Sequence, residues 1–305
     1  MKRCMVYLGN GFDVACGLKT KYSQFIESEI FAELEKHCSL ARWIKSKYTE
    51  DKDRWSDLEE LLYEYSLYLR NQYEDVVAFE KKTEKFREEH ELMTLALQKY
   101  IIKQTGGERS RYIPKLLDSW NESVTLDGVC CFNYTPFSVL FKLLPDYVKL
   151  FRVHGELAPS REESAVVVKL GIDRCMEVCP EHSFLYKDNM PIYAPGNWTE
   201  PDNLTIAAAN LTLETIHPAF HKSDVIIIYG CSLGRSDTAY YKYLFNNANN
   251  KKMIIYHYGE KEKYLFRERI FELTNDNGFV EKVVFIDSSI NNGYREGFRT
   301  VFDTL

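Results

Sequence analysis

Four short stretches hold the residues of this chain that are best suited to chemistry. They are Gly9-Asn10-Gly11-Phe12-Asp13, Phe132-Asn133-Tyr134-Thr135, His154-Gly155 and Gly230-Cys231-Ser232-Leu233-Gly234. Each follows an apolar run of the length and composition of a buried strand. In an open α/β sheet, ligands bind outside the carboxyl ends of the strands. Four polar or glycine-bearing stretches at equivalent positions therefore predict a nucleotide site.

The first stretch has the composition of a phosphate-binding turn. An apolar run at 5–8 ends in Gly9-Asn10-Gly11, and a third glycine follows at Gly17. Glycines let the backbone approach a pyrophosphate, whose charge the N–H groups of the next helix can receive. A tight turn from strand to helix is the alternative. The pattern does not favour a dehydrogenase, because no acidic residue closes an ordinary βαβ unit after the turn.

The elements that must position these stretches alternate between strands and helices. Alternation of this kind predicts a mostly parallel, doubly wound, Rossmann-like α/β sheet with helices on both faces. Strands are expected at 5–8, 128–132, 148–153, 165–170, 224–229, 252–257 and 283–286, and helices at 136–144, 238–247 and 262–273.

A large helical insertion is predicted between the first and second strands. Apolar residues recur at helical spacing from Tyr22 to Leu34, from Trp55 to Leu69 and from Val76 to Ile102. We therefore expect two units: an α/β core of residues 1–20 and 125–305, and a helical subdomain of residues 21–124.

Composition restricts the function classes. The 305 residues carry a formal net charge of −6. This charge does not favour binding to nucleic acid or to an anionic membrane. No stretch approaches the roughly 20 apolar residues of a membrane span, and the N-terminus has no signal-peptide pattern. The eight cysteines include no Cys-x-x-Cys pair, so no metal site is predicted. We expect a cytoplasmic protein with buried, reduced thiols.

Taken in order, these stretches resemble the AbiH family of phage abortive-infection proteins. The resemblance rests on Gly9-Asn-Gly-Phe-Asp13 with the later Gly17-Leu18, on Phe132-Asn-Tyr-Thr135, on His154-Gly155 and on Gly230-x-Ser-Leu-Gly-x-Ser-Asp237. Trp55-Ser-Asp-Leu-Glu59 also fits that pattern. The similarity extends over essentially the whole chain and implies a role in phage defence, with a phage-derived trigger.

The same stretches resemble, more distantly, the sirtuin-like fold. Residues 9–17 are similar to the sirtuin glycine turn, Asn133 to its Asn-x-Asp element, His154-Gly155 to its catalytic His-Gly, and the strand ending in Gly230-Cys-Ser-Leu233 to its Gly-Thr-Ser-Leu. The four-cysteine zinc module of sirtuin deacetylases is missing, so deacetylation is not expected. Asp13 stands where sirtuins have serine, and Asn10 where they have alanine.

This resemblance implies hydrolysis of NAD⁺ to nicotinamide and ADP-ribose, with NAD⁺ as substrate and no bound cofactor. Asn133 would orient a water molecule and the nicotinamide ribose, and His154 would act as the base or contact the ribose. Other residues are predicted to bind the nucleotide: Gly9, Asn10 and Gly11 at the pyrophosphate, Ser232 and Asp237 at the adenosine side, and Phe12, Asp13, Tyr134, Gly230 and Leu233 around them.

Each assignment has a structural alternative. His154 could bond to backbone at a strand end, and Asn133 could cap the helix at Pro136. Ser232 and Asp237 could cap the next helix, and Asp13 could either cap a helix or bind a ribose hydroxyl. Trp55 and Glu59, four residues apart on one helix face, are expected in the core and at its satisfied edge.

A second class of function also fits these residues: a non-catalytic sensor that binds NAD⁺ or ADP-ribose and gates an oligomer or a partner. The position of Asn133 and His154 relative to Gly11 distinguishes the two classes. The helical block could serve as a lid, a partner surface or the interface of a homo-oligomer.

Overall fold

The structure is a computed structural model that describes residues 2–15, 17–50, 58–72, 75–105, 124–135, 148–156, 167–168, 170–172, 176–187 and 213–289. Its centre is a six-stranded sheet in the order β3-β2-β1-β6-β7-β8, in which each neighbouring pair is parallel. The strands are β1 Lys2–Leu8, β2 Val124–Cys131, β3 Lys149–Arg152, β6 Val225–Tyr229, β7 Lys252–His257 and β8 Val284–Asp287. This confirms the α/β class and the parallel sheet, and the strand order is consistent with a Rossmann-like layout.

The strands have the composition that a doubly covered parallel sheet requires. All five residues of β6, Val-Ile-Ile-Ile-Tyr, are buried, because apolar side chains cover both faces of the strand. Of the predicted run at 165–170, the described residues Val167–Val168 (β5) are not part of this sheet. They pair antiparallel with Gly155–Glu156 (β4), just beyond β3.

Helices fill the described chain between β1 and β2. They are α1 Asn10–Ala15, α2 Tyr22–Ile26, α3 Glu29–His37, α4 Ser39–Glu50, α5 Leu58–Gln72 and α6 Val76–Thr105. The prediction of a long helix from Val76 is confirmed. The apolar stripe from Tyr22 to Leu34 falls on two helices, because the Ser28 hydroxyl accepts a hydrogen bond from the Phe31 amide and starts α3 afresh.

The second half of the chain supplies the helices that cover one face of the sheet. They are α7 Leu213–Lys222, α8 Thr238–Asn246, α9 Gly259–Thr274 and α10 Asn277–Lys282, with 3₁₀ turns η1 Pro180–Leu185 and η2 Arg235–Asp237. Phe220, Phe245 and Ile270 from these helices pack on Met5 and Ile228 of the sheet. Trp55 and the helix expected at 136–144 lie outside the described residues.

Helices α2–α6 have a core of their own, and this core extends beyond them. It contains Phe25, Leu62 and Met93, together with Tyr134 at the end of β2 and Leu185 of η1. None of the helices in the described ranges is long and apolar enough to cross a membrane.

Two buried histidines fasten the segments 170–172 and 176–187 to α5 and α6. His182 is fully buried, and its ring nitrogens lie 2.8 Å from Ser66 Oγ and 3.1 Å from Thr83 Oγ1. His90 Nε2 lies 2.7 Å from the carbonyl oxygen of Leu170. Burial lowers the pKa of both imidazoles to about 4, because it disfavours the charged form.

The turn after β1 packs directly on the loop after β6. The amides of Gly9 and Gly11 donate to the carbonyl oxygens of Tyr229 (2.9 Å) and Gly230 (2.8 Å). A Cβ atom on Gly9 would lie 2.5 Å from Cys231 Cα, and one on Gly230 would overlap the Phe12 amide. Gly230 also has a φ of 68°. Glycine is therefore required here for contact between two backbones.

Gly230→Ala should destabilise the protein by about 2 kcal/mol or more, because it adds a backbone clash to an unfavourable φ. Gly259→Ala is the matched control, since Gly259 has a similar φ of 75° with nothing near the position of its Cβ. Urea unfolding of both variants measures the difference. Equal losses of stability would contradict the close contact.

A His90→Gln variant should weaken the dependence of stability on pH. Since the folded pKa of His90, about 4, lies below the unfolded value of about 6.5, its contribution is present above pH 6.5 and lost as the pH falls towards 4. Between pH 7 and pH 5 the wild type should lose about 2 kcal/mol more than H90Q, whose amide can still donate to Leu170. Urea unfolding at both pH values tests this, and parallel losses would contradict it.

Candidate active site

The four stretches that hold the candidate site residues all lie at the carboxyl ends of the sheet strands. Gly9 directly follows β1, Phe132 follows β2, His154 lies two residues beyond β3, and Gly230 follows β6. Strand β1 lies between β2 and β6, where the order of the sheet reverses. This is the topological switch point, at which parallel α/β sheets bind their ligands.

Asn133 is the residue that joins two of these strand ends. Its Nδ2 donates to the carbonyl oxygen of Gly9 (3.0 Å) and to Asp13 Oδ1 (2.8 Å). Because a carbonyl can only accept, the nitrogen must be the atom that faces Gly9, and this fixes the orientation of the amide. Asn133 is therefore held between the turn after β1 and the end of β2.

The oxygen of the same amide has no donor within the part of the chain that the structure describes. Asn133 is 6% exposed, and its Oδ1 is buried without a hydrogen-bond donor among the residues that the structure describes. Leaving a buried acceptor unpaired costs about 1–3 kcal/mol. A donor from outside the protein, such as a water molecule or a ligand hydroxyl, would be stabilised at this oxygen.

Asp13 is a fully buried carboxyl that neither caps a helix nor faces solvent. Its two oxygens accept from Asn133 Nδ2 and from the Thr135 hydroxyl. Burial raises its pKa to about 7, although the hydrogen bonds from Thr135 and Asn133 act in the opposite direction. The side chain thus links the turn after β1 to the end of β2 and holds Asn133 in place.

A second cluster of charge lies beside this one. His154 Nε2 is 2.7 Å from Asp237 Oδ1, and Lys187 Nζ is 2.7 Å from the same carboxylate oxygen and 2.9 Å from His154 Nε2. All three side chains are nearly buried. Burial alone would raise the pKa of Asp237, but the charges of His154 and Lys187 outweigh it and hold that pKa well below its usual range.

Tyr134 connects the two clusters with the helices. Its ring centroid lies 5.7 Å from that of His154, and its hydroxyl donates to Glu59 Oε1 of α5 (3.0 Å). Tyr22 of α2 donates to the same carboxylate. The pKa of Tyr134 lies well above its ordinary value because of burial and the nearby Glu59 carboxylate.

A profile of the family described as "Bacteriophage abortive infection AbiH" matches residues 5–258. The chain belongs to the AbiH family. The match runs from β1 to the end of β7 and so includes every residue of both clusters. Membership implies a role in phage abortive infection. No curated protein matches the chain.

In this AbiH chain, several predicted site residues lie where their side chains contact the core. Phe12 packs edge-on against Tyr229, with ring centroids 5.8 Å apart, and Leu233 is 2% exposed with a φ of 54°. Both residues are buried, so neither side chain is open to a ligand. Asn10 bonds to Thr20, whereas Ser232 is exposed.

The contacts of Asp237 decide between its alternatives. Asp237 precedes α8 but makes no side-chain cap, because its carboxylate bonds to His154 and Lys187. His154 pairs with these side chains. Asn133 bonds to Gly9 and Asp13, and the helix it might have capped lies outside the described residues.

Sequence reasoning missed Lys187 and gave Thr135 no role. Lys187 lies in a segment without apolar periodicity, so nothing in the sequence connects it with His154. Thr135 follows Asn133 by two residues at a strand end, and that spacing was the available signal. Glu59, expected at the satisfied edge of the core, is buried and does accept hydrogen bonds there.

Asp13 should titrate near pH 7, and Thr135→Val should move its pKa upward. The Thr135 hydroxyl stabilises the carboxylate, so its loss favours the protonated form. Carboxyl ¹³C NMR shifts measured against pH follow this titration, and Asp13→Asn identifies the resonance. Since the folded pKa exceeds the unfolded one, stability from Asp13 is present at low pH and is lost as the pH rises from about 4 to 7. A titration of Asp13 near pH 4 in the wild type would contradict this description.

Proposed function

We propose that this AbiH protein acts in abortive infection by hydrolysing NAD⁺ to nicotinamide and ADP-ribose. The observation that carries the proposal is the buried, unpartnered Oδ1 of Asn133 at the switch point of the sheet. Asn133 is oriented by the Asp13 carboxyl, and the next residue, Tyr134, contacts the ring of His154, which pairs with Asp237. An acceptor and a histidine–carboxylate pair are the groups that activation of a water molecule requires.

The choice of NAD⁺ rests on the resemblance to the sirtuin-like fold. Within this proposal, the Rossmann-like sheet is a sirtuin-like core, and helices α2–α6 are an insertion after its first strand. The strand order and the switch-point position of Gly9, Asn133, His154 and Gly230 are compatible with that view.

The reaction needs few groups from the protein. The bond between C1′ and the nicotinamide nitrogen breaks with its electron pair going to the ring, which leaves as neutral nicotinamide and needs no general acid. Positive charge develops on the ribose, and a water oxygen forms the new bond to C1′. Asn133 Oδ1 would accept a hydrogen bond from that water or from a ribose hydroxyl and hold it in place.

His154 would take the proton that the attacking water releases. Asp237, at 2.7 Å, would orient the imidazole and stabilise the imidazolium, as the carboxylate does in a histidine–aspartate pair of a hydrolase. We therefore assign Asp237 to His154 rather than to the adenosine. The exposed Ser232 stays in the proposed adenosine subsite.

The glycine turn would contribute shape more than hydrogen bonds. Because the Gly9 and Gly11 amides already donate to Tyr229 and Gly230, they cannot also donate to a phosphate without breaking that contact. A pyrophosphate could lie only against the outer surface of this turn, because the backbone of Gly230 and Cys231 fills the space that Cβ atoms on Gly9 and Gly11 would need.

A non-catalytic sensor for NAD⁺ or ADP-ribose is the second candidate. The observation in its favour is Lys187, whose ammonium lies 2.9 Å from His154 Nε2. An ammonium at this distance opposes the arrival of a second positive charge on the imidazole.

Asn133→Ala and His154→Ala should each lower nicotinamide release from NAD⁺ by about 10²-fold or more, the usual effect of losing a general base or its equivalent. Asn247→Ala and His217→Ala are matched controls, because both residues are exposed; Asn247 directly follows α8 and His217 lies on α7. Purified proteins, and extracts of phage-infected cells that express them, are assayed for nicotinamide by chromatography.

The same variants separate the two candidates. If the protein is a hydrolase, the NAD⁺ concentration should fall in infected cells that express the wild type but not in those that express His154→Ala. Protection against phage that survives in His154→Ala, with NAD⁺ unchanged in wild-type cells, would overturn hydrolysis and favour the sensor.

A further inference from the structure

Lys187 is a cation placed inside the candidate site. Its side chain is 11% exposed. The ammonium donates to Asp237 Oδ1 (2.7 Å) and to the carbonyl oxygen of Ser236 (3.3 Å), and it lies 2.9 Å from His154 Nε2. A lysine is rarely buried to this extent unless it is paired, and here its counterion is also the partner of His154.

One carboxylate oxygen therefore contacts two basic groups. When Nε2 of His154 is protonated it can donate to Asp237, and when it is unprotonated it can accept from Lys187. With Lys187 present, an imidazolium would add a second positive charge within 3 Å of the first. Lys187 thus opposes proton uptake by His154, whereas Asp237 alone would favour it.

The same charge acts on the substrate. The nicotinamide ring of NAD⁺ is cationic, and the ribose gains positive charge as the bond to the ring breaks. In a poorly solvated site, a unit charge a few ångströms away changes the affinity for a cation, or the rate at which one forms, by more than a factor of ten. The reduced ring of NADH is neutral and does not experience this penalty.

The position of Lys187 is set by the helices between β1 and β2. Its backbone amide donates to the Ile172 carbonyl (3.1 Å), and the Ile172 amide donates to Leu185 (2.9 Å). In the same segment, His182 is held between Ser66 of α5 and Thr83 of α6. A change in the packing of α5 and α6 would therefore reach Lys187 through a short, buried chain of contacts.

We propose that the positive charge of Lys187 is an electrostatic restraint, which weakens the binding of the cationic nicotinamide ring to this site. Helices α5 and α6 control the restraint by holding the segment 176–187. This inference rests on the proposed NAD⁺ site. It assigns the regulation of that site to the helical block, where a phage-derived trigger would act by displacing Lys187 from Asp237.

Lys187→Gln removes the charge and keeps a hydrogen-bond donor, and Lys187→Arg keeps the charge. Affinities for NAD⁺ and NADH are measured by calorimetry at pH 8, where an imidazole in water is neutral. K187Q should shift the ratio of the two affinities towards NAD⁺ by about tenfold or more, and K187R should shift it far less. Nicotinamide release without a trigger should rise in K187Q. Lys36→Gln, an exposed change on α3, controls for net charge.

A ratio of affinities that K187Q leaves unchanged would overturn the inference, and so would an equal shift in K187R. If K187Q shifts the ratio of affinities but releases no nicotinamide, the result supports the restraint on binding and contradicts only the proposed hydrolysis. If neither nucleotide binds wild type or variant, the inference and the NAD⁺ site fail together. Should K187Q unfold, as its melting temperature would show, Lys187→Met provides the second neutral variant for the same measurements.

Discussion

The bond between Asn133 and the turn after β1 is the contact on which the candidate site depends. A parallel sheet brings the ends of β1 and β2 to the same edge but does not fix the loops that follow them. Asn133 Nδ2 does so by donating to Gly9 and Asp13. Asp13 must be buried to take part, and the cost appears as a pKa raised to about 7. The fixed amide leaves its oxygen without a donor among the described residues, and this oxygen is the feature that most directly calls for a ligand.

The helices between β1 and β2 contribute to the site even though they have their own core. Glu59 of α5 accepts from Tyr134, the residue after Asn133, and His182 joins α5 and α6 to the segment that ends at Lys187. A helical unit that only added bulk would not need buried polar contacts at both of these points, because such contacts stabilise a fold little more than apolar packing of the same shape. These contacts join the arrangement of the helices to the geometry of the candidate site.

The strands were predictable because a buried parallel strand is a short apolar run ended by glycine or polar residues, as in 224–230. The positions of Asn133 and His154 followed from the same rule, since the carboxyl ends of parallel strands share one edge. The pairing of His154 with Asp237 and Lys187 could not be predicted in this way. It joins residues 154, 187 and 237 through tertiary packing, and Lys187 lies in a segment with no periodicity. The role of Asp13 was also hidden, because an aspartate near a helix start matches a cap just as well.

Two buried aspartates at one edge of a sheet have pKa values shifted in opposite directions, and this difference distinguishes their roles. Asp13 meets only neutral donors among its described partners, so burial dominates and its pKa rises to about 7. Asp237 meets His154 and Lys187, so the cations dominate and its pKa falls. Titratable groups separated in this way are the usual means by which one site provides both a fixed charge and a proton acceptor. Asp237 is then the permanent anion that supports His154. Asp13, which is neutral in part of the population near pH 7, orients Asn133; within the proposed NAD⁺ site it would do so without placing a full charge beside the pyrophosphate.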